Sequence, residues 1–422
     1  MHAETPAGDV HSQDVVSGSE SAVIESARVR RLLGFRDDLG YVQALAQTQD
    51  GLRSFADYGV FLSTSEVDEV LARDRIPVVR APALAWGSRQ PGFAGTYIDH
   101  NAGGQIVLRF AGRSDLSELD GEIRRLIGEV DFAYRDRVRV DEVAYSLDQL
   151  RGVRDAILAL RGASSTISGV GIEPSRNAVV VTATDTVLAR QQVDANLPEL
   201  GAGPPILYLE GENADETCGS RASCGGSSTR RGGVRVERGS SGSCTSGFSL
   251  RDGLDYDVIT AGHCWYTYNS GTITSGGQSY GSISSANVLD PGTWCDCRLI
   301  ETNDEMTGPI YYHSDTVKAK TVTSREATPS EGDVVRLAGQ YTQSSGTVSV
   351  VDYSYTSGTC GCTVHGAVLA DYLHQNGDSG GSVTNSTGGR AFGIHTGSAS
   401  GLGRFSTAWW AEQYFGGTVV SP

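Results

Sequence analysis

The chain has 422 residues, enough for two or more domains, and a net charge of −16 that leaves neither half with a basic stripe. That balance excludes a nucleic-acid surface, and there is no run of about 18 apolar residues to cross a membrane. Residues 1–216 carry 21 basic and 33 acidic side chains, and residues 217–422 carry 13 and 17, which suits an acidic, surface-charged, monomeric protein.

Residues 1–20 show neither the cationic start nor the apolar run of a secretory signal. The first half then reads as mixed α and β. Ser63-Thr-Ser-Glu66 is a capping box, and Val67, Val70 and Leu71 follow on one helical face. Phe93–Asp99 and Gln105–Phe110 are apolar runs joined by His-Asn-Ala-Gly-Gly, a hairpin pattern. Ser146-Leu-Asp-Gln149 is a second capping box, ahead of the stripe Leu150, Val153, Ile157 and Leu160. Asn177–Thr182 is a Val-rich strand. The acids Asp37 and Asp38 read as solvated surface, and nothing in this half resembles a catalytic site.

Composition changes near residue 200. Gly201-Ala-Gly-Pro-Pro205 breaks regular structure, and residues 211–247 are rich in Gly, Ser and Thr. Short strand-like runs follow at close spacing, the pattern of a sandwich or barrel. The expected organisation is an α+β unit over 1–216 and an all-β unit over 217–422.

All eight cysteines, Cys218, Cys224, Cys244, Cys264, Cys295, Cys297, Cys360 and Cys362, lie in the second unit. An even count confined to one unit predicts disulfides and an oxidising, extracellular setting. The Cys-x-Cys pairs are too closely spaced for ordinary structural zinc, so no metal or cofactor is expected. Cys218 with Cys224 would close a small loop. Cross-pairing between the two Cys-x-Cys motifs is the expectation for the rest.

Three segments carry chemistry: Val258-Ile-Thr-Ala-Gly-His263-Cys264, Cys295-Asp296-Cys297-Arg-Leu-Ile300 and Asn376-Gly377-Asp378-Ser379-Gly380-Gly381. A serine hydroxyl is a weak nucleophile near neutral pH and needs a histidine base, and that base needs a buried carboxylate to fix its tautomer. Ser379, His263 and Asp296 fill these roles. Asp290 and Asp304 are rivals to Asp296, which alone sits in an apolar strand. Glycines flanking Ser379 allow a tight turn that would aim the Gly377 and Ser379 N–H groups at an oxyanion. An α/β-hydrolase is excluded, because no acid and histidine follow the serine in the required order. Asp378 would need a buried cationic partner, with Arg336 the candidate.

The T-A-G-H-C and G-D-S-G-G segments, in the order His, Asp, Ser, resemble the chymotrypsin-type serine peptidases. Gly242-Ser-Cys-Thr-Ser-Gly-Phe248 and Ala391-Phe-Gly-Ile-His-Thr-Gly397 are more similar to the bacterial streptogrisin branch. That resemblance covers about residues 233–416. It implies an all-β double β-barrel catalytic domain, a Cys244–Cys264 disulfide, and residues 1–216 as a pro-region that assists folding and inhibits the enzyme.

The string G-I-H-[ST]-G-S resembles the wall strand of glutamate-specific members of that branch. The resemblance implies that His395 and Ser398, with Thr396, bind a substrate carboxylate. Leu373 stands where a trypsin-like enzyme has its acid, and Asp371 is the nearest acid. A buried carboxylate needs such donors, because unpaired burial is costly. Glu210, Glu212 and Glu216 would then be self-release points, with Arg230-Arg231 the rival. The expected partners are a peptide or protein substrate and the chain's own pro-region. The competing expectations are an inactive protease-fold binding module, a separate interaction domain over 1–216, and a peptidase of apolar preference.

Overall fold

A computed structural model describes residues 20–160, 166–196, 203–210, 232–239, 241–252, 255–287, 289, 292–302, 310–312 and 319–419. The first half opens with five helices, α1 (Glu20–Leu32), α2 (Leu39–Leu45), α3 (Gln49–Tyr58), α4 (Thr64–Arg73) and α5 (Ile76–Gly87). The Ser63/Glu66 capping box starts α4 as expected, each side chain bonding the other residue's backbone N–H. Strands β1 (Phe93–Asp99) and β2 (Gln105–Ala111) form the antiparallel hairpin, and after α6 (Leu116–Val130) strand β3 (Val138–Val143) joins β2 in parallel. Phe93, Ile106, Leu108 and Phe110 bury their side chains against Ile123 and Ile127 of α6.

A second αβ layer follows. Helix α7 (Leu147–Ala159) starts at the Ser146/Gln149 capping box, and Leu150, Val153 and Ile157 pack on strands β4 (Ile167–Glu173) and β5 (Ala178–Ala183). After α8 (Thr186–Asn196), strand β6 (Ile206–Glu210) pairs in parallel with β5.

The second half is built from strands. One sheet contains β7 (Arg235–Glu237), β8 (Ser243–Thr245), β9 (Ser249–Asp252), β10 (Asp255–Thr260), β11 (Thr272–Ser275), β12 (Gln278–Asn287) and β13 (Arg298–Glu301), in the spatial order β8-β7-β11-β12-β13-β10-β9. The short pair β14 (Ile310–Tyr312) and β15 (Ala319–Thr321) and the strand β16 (Ser324–Arg325) lead to the second sheet. There β17 (Val334–Ala338), β18 (Gln343–Thr356), β19 (Thr363–Ala370), β20 (Ser382–Asn385), β21 (Arg390–Ala399) and β22 (Leu402–Thr407) run in the order β17-β20-β21-β22-β19-β18, and β17 pairs again with β18. That last pairing closes a six-stranded barrel. Helix α9 (Ala408–Phe415) caps the end. A curved antiparallel sheet beside a closed barrel, with the three motif loops at their junction, is the chymotrypsin-like fold.

The halves share a sheet. Strand β18 extends past the barrel, and β4 pairs antiparallel with its free edge, matching Ile172 to Val351, Val170 to Ser354 and Gly169 to Tyr355. An unpaired edge strand exposes a row of N–H and C=O groups, so each edge satisfies the other.

Candidate active site

Register brings His263 and Asp296 together. Strands β10 and β13 are antiparallel with Thr260 opposite Arg298, so the residues just past Thr260 lie beside those just before Arg298. Gly262 permits the approach, since a Cβ there would sit 2.9 Å from an Asp296 carboxylate oxygen and from the Cys297 backbone nitrogen. Asp296 Oδ1 accepts the His263 backbone N–H at 2.8 Å, and Oδ2 lies 2.7 Å from His263 Nδ1. Both side chains are fully buried. Burial acts to raise the Asp296 pKa, but the His263 charge and hydrogen bonds, with Arg404 nearby, outweigh it and hold the carboxyl below its ordinary value. Tyr355 Oη adds a third bond, donating to Oδ2 at 3.3 Å.

Ser379 reaches the same junction through its backbone. Its carbonyl accepts the Thr245 N–H at 2.7 Å, and Thr260 Oγ1 donates to the Thr245 carbonyl at 2.8 Å. Gly380, at φ +90°, lies so close to Thr260 and Ala261 that a Cβ would approach Thr260 Oγ1 to 2.2 Å and the Ala261 nitrogen to 3.1 Å. Gly377, at φ +98°, makes the turn before the serine, and its carbonyl accepts Thr245 Oγ1 at 2.8 Å. Among the described residues, the Gly377 and Ser379 N–H groups donate no hydrogen bond. Two free amides on such a turn suit an oxyanion hole.

Asp378 is held differently from the expectation. Its carboxylate accepts backbone N–H groups of Gln375 (3.0 Å), Tyr341 (3.0 Å) and Thr342 (3.2 Å), while Arg336 turns away to the Tyr58 carbonyl at 2.6 Å. Three amides replace the cation as the means of satisfying a buried acid. Burial still pushes Asp378 up to about 6.

Strand β21 forms the wall beside Ser379. The His395 carbonyl accepts the Gly380 N–H at 2.7 Å, and its N–H donates to the Gly381 carbonyl at 2.8 Å. The His395 ring is buried. Its Nδ1 lies 3.1 Å from Tyr372 Oη, and the His374 ring stands 5.2 Å away, centroid to centroid. Thr396, also buried, uses its hydroxyl on Arg404: Oγ1 accepts from Arg404 Nε at 3.4 Å. Ser398 is half-buried, and its carbonyl accepts Arg404 Nη1 at 3.5 Å. Asp371 is turned from the wall, its carboxylate accepting the Thr347 N–H at 2.6 Å. Leu373 is exposed. His374, Tyr372, Arg404 and Tyr355 were not singled out from the sequence as site residues. His374 has a signal there, five residues before the serine; the others have only their buried neighbours.

The cysteines correct one expectation. Cys244 pairs with Cys264, bracing the loop after His263, but Cys295 pairs with Cys297 and Cys360 with Cys362. Cross-pairing fails because the motifs sit in different cores: Cys295 and Cys297 pack with Phe248, Leu250 and Leu299, whereas Cys362 packs with Tyr353, Val364 and Leu369. Cys218 and Cys224 lie outside the described residues, as do Asp290, Asp304, Glu212, Glu216, Arg230 and Arg231. Among the described residues, no group of three or more His, Cys, Asp or Glu side chains could hold a metal ion. No described helix is long and apolar enough to cross a membrane.

No family model matches the chain. Serine protease 1 of Streptomyces fradiae is 26% identical over 263 residues, covering 60% of this chain and 66% of that protein. Streptogrisin-D of Streptomyces griseus is 26% identical over 282 residues, covering 62% and 64%. The chain is similar to streptogrisin-type serine proteases. The matches span less than two thirds of the length of these relatives. Among solved structures, a glutamic acid specific serine protease described as using a histidine triad in substrate binding aligns with a TM-score of 0.39 and 24% identity, covering 44% of this chain and 98% of that one. Thermobifida fusca Protease A aligns with a TM-score of 0.39 and 23% identity, covering 46% and 100%.

Proposed function

We propose that residues 217–422 form a secreted serine endopeptidase and that residues 1–216 are its pro-region. The observation that carries this reading is the buried His263–Asp296 pair at 2.7 Å, with the Ser379 turn tied to the same junction through Thr245 and Gly380. In that arrangement His263 takes the Ser379 proton as the hydroxyl attacks a peptide carbonyl. Asp296 holds the imidazole tautomer and stabilises the imidazolium, and the Gly377 and Ser379 amides receive the oxyanion. His263 then passes the proton to the leaving amine, and water hydrolyses the acyl-enzyme by the same steps.

Residues 1–216 fit a pro-region because they cover so much of the second half. Besides the shared sheet, Arg80 and Asp333 form an ion pair at 2.6 Å with both side chains 2% exposed, and Arg28 donates to the Asp371 carbonyl at 2.7 Å.

The same reading assigns preference for Glu, then Asp, before the scissile bond. His395 lies next to the nucleophile turn, and the wall around it holds a second histidine and the guanidinium of Arg404, with Asp371 turned away. His395 and Ser398 supply hydrogen bonds to the substrate carboxylate. Thr396, engaged with Arg404, supports the wall from behind.

The test is a serine-directed fluorophosphonate together with otherwise identical peptides carrying Glu, Asp, Gln, Phe or Lys at the cleaved position. Ser379 is expected to be labelled, and Glu to exceed Gln by about tenfold, the scale of one charge-assisted hydrogen bond. An inert Ser379 would favour a binding module. Labelling with fastest cleavage after Phe or Leu would leave the triad and remove the acidic preference.

A further inference from the structure

We propose that Tyr355 is a positioning residue for Asp296, donating a second side-chain hydrogen bond to the oxygen that His263 engages. This rests on the reading of His263, Asp296 and Ser379 as a triad.

Among the described residues, the carboxylate of Asp296 meets three donors: the His263 backbone N–H on Oδ1, and His263 Nδ1 and Tyr355 Oη on Oδ2. A carboxylate in a buried site stays ionised only where such donors satisfy it. The phenol can donate to Oδ2 only if β18 holds its ring in place. Tyr355 is paired with Val364 of β19 and, in the unprocessed chain, also with Gly169 of β4. Its ring is fully buried, and the Arg404 guanidinium carbon lies 3.4 Å from the ring centroid. A cation over the face draws electron density from the ring and strengthens its hydroxyl as a donor. The loop carrying Asp296 is held to the same layer, since the His365 N–H of β19 donates to the Thr293 carbonyl at 2.8 Å. Tyr355 thus fixes the rotation of the carboxylate, and through it the angle of the His263 ring toward Ser379. It also draws part of the carboxylate's charge away from His263.

The neighbouring Tyr353 provides the control. Its ring stacks near Tyr355, with centroids 6.3 Å apart, but its hydroxyl lies 2.7 Å from Thr182 Oγ1 of the first half.

The experiment compares wild type, Tyr355→Phe and Tyr353→Phe in the enzyme released from the full chain by processing. Tyr355→Phe keeps the ring and its stacking on Arg404. Without the phenol the carboxylate is more basic toward His263, so the imidazolium is favoured. The downfield proton resonance of the His263 Nδ1–H bond should move further downfield, and its titration midpoint should rise by about half a pH unit. With peptide substrate, kcat should fall about tenfold with KM unchanged, the signature of lost orientation in the transition state. Tyr353→Phe should match wild type in both readouts. An unchanged resonance, midpoint and kcat in a Tyr355→Phe protein of wild-type melting temperature would overturn the proposal. The resonance is read without turnover, so a protein inert to fluorophosphonate would refute the peptidase reading while the role of Tyr355 at Asp296 is still decided.

Discussion

At the scale of single residues, the proposed acid preference turns on the state of His395. Burial first, then the nearby His374, Arg404 and His263, hold its pKa well below the ordinary histidine value. His395 is therefore neutral at working pH. Its Nδ1 lies 3.1 Å from the Tyr372 hydroxyl and the ring also bonds the Arg404 backbone, so the neutral ring has a single N–H, which the proposed acid preference requires the substrate carboxylate to take over. A neutral donor does not titrate between pH 6 and 9, so the ratio of kcat/KM for Glu and Gln peptides should be flat across that range. A ratio rising tenfold on acidification from pH 7 to 6 would mean an imidazolium binds the substrate instead. The same shift has a consequence for stability. The folded value lies below the unfolded value of about 6.5, so the neutral form is the one folding favours. Its contribution is complete above pH 6.5 and is lost as pH falls below it, so on acidification from pH 6.5 the wild-type melting temperature should drop relative to that of His395→Asn.

At the scale of elements, local patterns in the sequence were enough for some structure and silent on the rest. Both capping boxes start helices where Ser63 and Ser146 stand, because capping is settled within four residues. The G-D-S-G-G segment could be read as a site because Gly377 and Gly380 answer to local backbone demands, both at positive φ. Two of the three donors to Asp378 could not be read, since Tyr341 and Thr342 come from a loop more than thirty residues away. Nor could the pairing of β4 with β18, which joins residues far apart in the chain. Here Gly169 is decisive: a Cβ would lie 1.9 Å from Tyr353 Oη and 2.1 Å from its ring carbon. Tyr353 is buried at 1% exposure, so it has little room to yield. Gly169→Val in residues 1–216, added in trans to the mature enzyme, should raise the inhibition constant at least about tenfold, or ~1.4 kcal/mol. An unchanged constant would mean that the shared sheet does not bind the halves.

At the scale of the whole molecule, charge at the junction runs against the overall balance. The first half is the more acidic, yet it sends Arg28, Arg80 and Arg154 onto acceptors of the second, including Asp333 and Asp352. Among the buried titratable groups in the same junction, two oppose each other. His100 of the first half is pulled down to about 4, chiefly by burial and also by Arg73, with Asp99 and Asp333 acting the other way; its Nδ1 faces Arg73 at 3.0 Å and its Nε2 the Gly332 carbonyl at 2.5 Å. Glu331 of the second half is pushed up to about 7 by burial and by Glu173, with Ser175 and Arg109 opposing; it accepts the Ser175 N–H at 2.7 Å. A histidine lowered on association binds best when neutral, so its contribution fades as pH falls below about 6.5. A carboxyl raised on association binds best when protonated, so its contribution fades as pH rises from about 4.5 through 7. The two trends run in opposite directions, so removing either group should tilt the pH dependence of the affinity of residues 1–216 for the mature domain toward the other's trend. Single variants expose each trend. With Glu331→Gln, the remaining His100 should make affinity fall more than about tenfold from pH 7 to 5. With His100→Asn, the remaining Glu331 should make it fall more than about tenfold from pH 5 to 8. Titrations of inhibition across pH measure both, and two variants sloping in the same direction would refute the opposition of His100 and Glu331.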